Sequence, residues 1–157
     1  MDHCIDEVRT LSYVLHPPML DEAGLEDAIR HYVDGFTKRS GIHVELEVSP
    51  RIGRMAPDVE LALFRVVQES LTNIHRHSGS LKAKIRIHRN LDHLTLEISD
   101  RGRGASGSVP RRNGKAPFEV GVGIPSMQER VKLIGGRLDI ESSSRGTTVR
   151  VTMPLGG

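Results

Sequence analysis

The sequence has a single cysteine, Cys4, among its 157 residues, no tryptophan, and aromatic side chains at only 3%. A lone cysteine excludes an internal disulfide framework and any cysteine-rich zinc site, and it fits a reducing compartment. So few aromatics argue against the stacking platforms that bind single-stranded nucleic acid. No apolar run approaches the roughly 20 residues of a membrane span, and the start lacks the pattern of a secretory signal. An excess of one charge is also missing. Lys+Arg 22 against Asp+Glu 20 leaves +2, too little for bulk electrostatics to draw a nucleic acid or a membrane surface. These absences lead to the expectation of a soluble cytoplasmic domain with no nucleic-acid partner and no direct membrane contact.

What is present suffices for one folded unit. Hydrophobic residues make up 37% and charged residues 27%, the balance of a globular protein. Ile5, Val8, Leu11 and Leu15 recur at helical spacing until Pro17 and Pro18 stop that helix. Leu25, Ile29, Tyr32, Val33 and Phe36 form the apolar face of a second helix, which Gly41 closes. Residues 42–48 alternate as a half-buried strand. Pro57 opens a third helix, predicted over 57–77, with Asp58 and Glu60 near its positive dipole end. Strands at 82–89 and 94–99 flank a turn at 90–92. Gly, Ser, Pro and Arg dominate 101–120, a loop of unusual length for a compact domain. A fourth helix over 125–134 stops at Gly135 and Gly136, and a hairpin of 137–141 with 147–153 follows. The order predicts one sheet with helices on one face.

Four short motifs carry the chemistry. On the third helix, Val59, Leu63, Val67, Leu71 and Ile74 make the core stripe, with Glu69 and Asn73 about 40° apart at its edge and Arg76 beside Glu69. A carboxylate, an amide and a guanidinium there are either an ordinary polar helix edge or a site for Mg²⁺ and phosphate. In "EISDRGRG" a strand ends at Asp100 before Gly102 and Gly104, glycines that permit a close ligand approach. In "GVGIPSMQERV", Gly121, Val122, Gly123 and Ile124 run into a helix N-terminus, a ready anion site, yet match neither a P-loop nor a Rossmann fingerprint. In "RGTTVRV", Gly146 turns into a strand bearing Thr147 and Thr148. Singly, each motif has a plain structural reading.

Together, in this order, they resemble the Bergerat-type ATP-binding domain of sensor histidine kinases, gyrase-type topoisomerases, ninety-kilodalton chaperones and mismatch-repair ATPases. "LSYVLHPPMLDEAGLEDAI" further resembles the dimerisation-helix exit of nitrate-sensor and desaturase-sensor kinases. The resemblance implies an α/β two-layer sandwich with a mixed, mostly antiparallel sheet. It implies that residues 1–20 are the end of a second dimerisation helix with its exit linker, and that 21–157 form the ATP-binding domain with a lid at about 101–120.

Carried over residue by residue, the resemblance makes Asn73 the ligand of a Mg²⁺ that bridges the ATP phosphates, with Glu69 a further candidate metal ligand or base. Arg76 and His77 would lie at the phosphates. Asp100 would accept from the adenine amino group, Gly102 and Gly104 would shape that pocket, and Thr147 would reach adenine. Gly121, Val122, Gly123 and Ile124 would belong to the phosphate side. Arg101 and Pro125 depart from the family's usual residues at the pocket wall and the lid-to-helix junction.

The implied activity is ATP-dependent phosphotransfer to a histidine on a dimerisation helix, in a homodimeric kinase that serves a response regulator. None of the eight histidines here is followed by an acidic residue, the neighbour that acts as base for the family's acceptor. The acceptor is therefore expected outside this sequence, and the chain alone is not expected to phosphorylate itself. Two rivals share the fold. An ATP hydrolase would follow its ATP site with a long transducer domain. A serine kinase of the anti-sigma-factor type would lack the dimerisation-helix motif around Leu11 to Leu20.

Overall fold

The structure, a computed structural model, describes residues 18–50, 52–100, 123–143 and 146–155. The helix expected over 5–15 and the loop over 101–120 lie outside them. Pro18, expected to stop a helix, is itself a first helical residue. It opens α1 (Pro18–Ala23), because proline's fixed φ and missing N–H suit a first helical position. Gly24, at φ 97°, breaks the chain direction, and α2 (Leu25–Ser40) follows. Leu25, Ala28, Ile29 and Phe36 are its buried face, and Gly41 caps it in the left-handed conformation, donating to the Thr37 carbonyl.

Five strands form one open sheet in the order β1-β2-β3-β5-β4. They are β1 (His43–Val48), β2 (Lys82–Arg89), β3 (His93–Asp100), β4 (Arg137–Ser143) and β5 (Gly146–Pro154). β1 runs parallel to β2 and every other pairing is antiparallel, so the sheet is mixed and mostly antiparallel as expected. The β1–β2 crossover is α3 (Pro57–Asn73). Helix α4 begins at Gly123, two residues before the expected start, and runs to Leu133. Pro125 therefore sits within the first turn, where its missing N–H costs no helical bond.

Period-two alternation decides which face the helices cover. Ala83, Ile85 and Ile87 of β2, Leu94, Leu96 and Ile98 of β3, and Val149, Val151 and Met153 of β5 are all buried. They pack against Leu63, Val67 and Leu71 of α3 and Met127 and Val131 of α4. The opposite face carries charges whose sign alternates from strand to strand. Glu47 meets Lys84 at 3.1 Å and Arg86 at 3.3 Å, while Arg150 bridges Glu97 at 2.6 Å and Glu141 at 3.3 Å. A face that pairs its charges with one another is a solvated face.

An aromatic knot joins α2 to α3. The Tyr32 ring packs edge-on to Phe64 at 5.7 Å and lies beside Phe36 at 6.3 Å, with the Arg39 guanidinium 5.8 Å from its centre. Burial, above all, pushes the Tyr32 phenol above its ordinary pKa, against the lowering influence of Arg39. A raised folded-state pKa gives stability that is complete below the unfolded value near 10 and is lost as pH rises through the folded one. Tyr32→Phe should therefore flatten the fall in melting temperature as pH rises above the unfolded phenol's value near 10. Parallel curves for the two proteins would contradict this.

Candidate functional site

The inward columns of β3 and β5 end on polar residues. Asp100 continues the series Leu94, Leu96, Ile98 and is 5% exposed, and Thr147 continues Met153, Val151, Val149 at 7%. Because Ser99 lies opposite Thr148, Asp100 and Thr147 are the next facing pair, under the helical layer. Thr147 Oγ1 shares a hydrogen bond with Ser142 Oγ at 3.1 Å. Gly146, at φ 137°, presses against this corner. A Cβ there would stand 2.1 Å from the Asp100 carbonyl oxygen and 3.2 Å from its Oδ1. Only glycine fits.

Helix α3 brings the second group. Glu69 and Asn73 are both half-buried, one turn apart on the edge of the apolar stripe, as the 100° spacing predicts. Beyond Asn73 that spacing fails. Residues Ile74–Ser78 form a π-turn, whose wider i→i+5 loop changes the angle of everything on it. Arg76 consequently is not fixed beside Glu69 by α-helical geometry; it is exposed, while His77 is half-buried. The turn is pinned at both ends. Ser78 Oγ donates to the Ile74 carbonyl at 2.9 Å, and the Ser80 amide donates to Ser78 Oγ at 3.0 Å. The His75 ring stands edge-on to Phe36 at 6.2 Å, and Gly79 ends the turn at φ 69°. The chain then enters β2, where Ala83 faces Asp100. Asn73, His77 and Asp100 thus belong to one end of the sandwich.

Of the remaining expected site residues, Gly123 and Ile124 form the first residues of α4. Gly102, Gly104, Gly121 and Val122 lie outside the described residues. The sequence reading missed a polar network at the opposite end of α3. Glu60, at 1% exposure, is no mere dipole partner. Its two carboxylate oxygens accept from Arg54 Nε at 3.1 Å and Nη2 at 3.2 Å, and Oε2 also accepts from the Met55 amide at 3.2 Å. Arg54 Nη2 further donates to the carbonyls of Leu20 and Asp21. A buried acid on a helix face that is otherwise apolar was the available signal.

An open five-stranded sheet with helices on one face, its covered corner lined by Asp100 and Thr147, defines an α/β sandwich of the Bergerat ATP-binding type. Residues 58–157 match the histidine kinase-, DNA gyrase B- and HSP90-like ATPase family, and the chain belongs to that family. It is 35% identical over 156 residues to the oxygen sensor histidine kinase NreB of Staphylococcus carnosus, covering 99% of this chain and 43% of that protein. It is 32% identical over 154 residues to the sensor histidine kinase MctS of Rhizobium johnstonii, covering 98% of this chain and 32% of that one. The chain thus spans less than half the length of these curated relatives. Among solved structures, the histidine kinase domain of the Erythrobacter litoralis EL346 blue-light activated kinase superposes with a TM-score of 0.70 at 21% identity, over 83% of this chain and 61% of that one. The mycobacterial sensor histidine kinase MprB gives 0.60 at 21% identity, over 82% and 94%. At such identities these two likenesses speak for the fold. Family membership makes this an ATP-binding domain of the histidine kinase type. Among the described residues no helix is long and apolar enough to cross a membrane.

Proposed function

We propose that the chain is the catalytic ATP-binding part of a sensor histidine kinase, which passes the γ-phosphoryl group of Mg–ATP to a histidine on a dimerisation helix. The observation that carries this reading is the pair Asp100 and Thr147, polar and buried where two apolar columns end. A buried carboxylate calls for donors, and an adenine amino group is one. Thr147 supplies a hydroxyl to the same ring. Asn73 and Glu69 offer hard oxygen atoms suited to Mg²⁺. Among the described residues no three His, Cys, Asp or Glu side chains gather to hold a metal alone, so phosphate oxygens and water would complete the shell. The exposed Arg76 and the half-buried His77 would meet the phosphates, and the first turn of α4, from Gly123 and Ile124, would lend its amides. Gly102, Gly104, Gly121 and Val122 complete the proposed set.

Phosphoryl transfer of this kind needs positioning and charge neutralisation more than covalent chemistry. The partners proposed are ATP, the dimerisation helices of a homodimeric kinase, and a response regulator. With labelled ATP and Mg²⁺, the chain alone should gain no acid-labile phosphate, because a general base must lie within reach of the proton it takes. A dimerisation hairpin bearing the acceptor histidine should become labelled when added. Stoichiometric labelling of the isolated chain at His16 would overturn the reading.

A further inference from the structure

Helix α3 carries a third polar residue in line with the proposed site. Arg65, Glu69 and Asn73 follow one another at intervals of four, so they form one column along the helix. Its direction is fixed by the fold. Asp100 sits at the end of the sheet where α3 finishes and β2 begins. A line from Asp100 through Asn73 to Glu69 therefore points away from the adenine corner, and Arg65 lies about 12 Å beyond Asn73 at 1.5 Å per residue.

Arg65 is half-buried. Its Nη1 donates to Gln68 Oε1 at 3.0 Å, and its charge faces Arg130 on α4. The two helices meet in antiparallel sense. Ser70 Oγ bonds the buried Met127 Sδ at 3.8 Å, and stepping back along α3 to Arg65 means stepping forward along α4 to Arg130. Among the described residues neither guanidinium has a carboxylate within 4.0 Å, although ten other ion pairs are formed. Burial, then the charge of Arg130, holds the Arg65 guanidinium below its ordinary pKa. Two like charges brought together and left unneutralised repel, and an oxyanion between them removes the repulsion.

We infer that Arg65 and Arg130 form an oxyanion subsite across the α3–α4 seam, which takes the terminal phosphate of the nucleotide and so distinguishes ATP from ADP. The inference rests on the proposed nucleotide site, whose adenine and metal ends give the column its direction. A carboxylate of a docking helix offers the same oxyanion chemistry, and the test separates the two sources. Arginine suits either because its planar fork binds two oxygens at once.

The test is calorimetric titration of the intact 157-residue chain with the β,γ-imido analogue of ATP and with ADP, both with Mg²⁺. Arg65→Ala and Arg130→Ala should each weaken the ATP analogue about tenfold, near 1.4 kcal/mol, while ADP binding stays within about twofold. Arg65→Lys should recover part of the loss. ADP affinity doubles as the folding control, and if Arg65→Ala is unfolded then the Arg130→Ala result decides. Equal losses for both nucleotides, or none for either, would overturn the subsite while leaving the nucleotide site intact. Unchanged nucleotide affinities with lost labelling of an added hairpin would overturn it in favour of the carboxylate. A parent chain that binds neither nucleotide would overturn the underlying site reading as well.

Discussion

Asp100→Asn should weaken binding of a Mg–ATP analogue by at least tenfold, and most of the loss should come from adenine recognition. The carboxylate is buried at the end of β3, where a hydrogen bond to an ionised acceptor is worth about 1.5–3 kcal/mol, and 1.4 kcal/mol is one decade of affinity. An amide keeps the shape but surrenders the charge, and its NH₂ cannot accept from the adenine amino group. Preference for the adenine over the guanine nucleotide should shrink by a similar factor. Asn73→Ala should cost at least tenfold by a different route. The loss should be large with Mg²⁺ and small without it, because the amide oxygen acts through the metal. Titration of both variants with and without Mg²⁺ separates the two effects. If both bind the analogue like the parent, the site is not where these residues are.

The second large effect concerns stability. Arg54→Ala should lower the melting temperature by on the order of 5–10 °C, because it strips the buried Glu60 carboxylate of its half-exposed guanidinium partner and leaves that charge uncompensated. Here the charge is Glu60, 1% exposed, on the first turns of α3. Arg54 is its bidentate partner and also ties the Leu20 and Asp21 carbonyls of α1 to that helix. Its guanidinium is correspondingly held above its ordinary pKa by the hydrogen bonds it donates to Glu60. Lysine cannot reproduce the fork, so Arg54→Lys should recover little. Arg54→Ala with Glu60→Leu should recover much, since no charge then remains buried. Thermal melts of the four proteins check this, and a melting temperature for Arg54→Ala within 2 °C of the parent's, roughly one surface contact's worth, would contradict it. Gly24 belongs to the same device, because a Cβ there would come within 3.0 Å of Arg54 Cδ.

Much of this architecture is written in periodicity. Leu94, Leu96 and Ile98 alternate, and Leu63, Val67 and Leu71 recur at helical spacing, so strand, helix and covered face are all legible. The alternation even marks Asp100 as inward-facing, which a reading of it as a strand-end acid before glycines leaves out. Other features leave no periodic trace. Six residues are too few for α1 to show a stripe. The parallel pairing of β1 with β2 follows from the α3 crossover and not from either strand's own pattern. Arg54 and Glu60 meet across a non-helical approach to α3, so no helical interval announces them. The tightness at Gly146 appears only when β3 and β5 are laid side by side. Glu69 and Asn73 were readable because the helix under them is regular, and Arg76 was not because the helix beneath it is no longer α.

That change of helix type also governs how the chain can vary in length. A π-turn holds one residue more than an α-turn closing over the same span. Removing any one of residues 74–76 would let α3 continue as regular helix, swinging His77 and Ser78 by about 100°. Ser78 would then lose its place beneath Ser80, and the chain would reach β2 from a different side. The hairpin tip at Asn90, where one side chain receives the amides of Asp92 and His93, carries no such constraint from the site. Insertions and deletions accumulating during divergence should therefore gather at that tip and spare the five-residue stretch after Asn73.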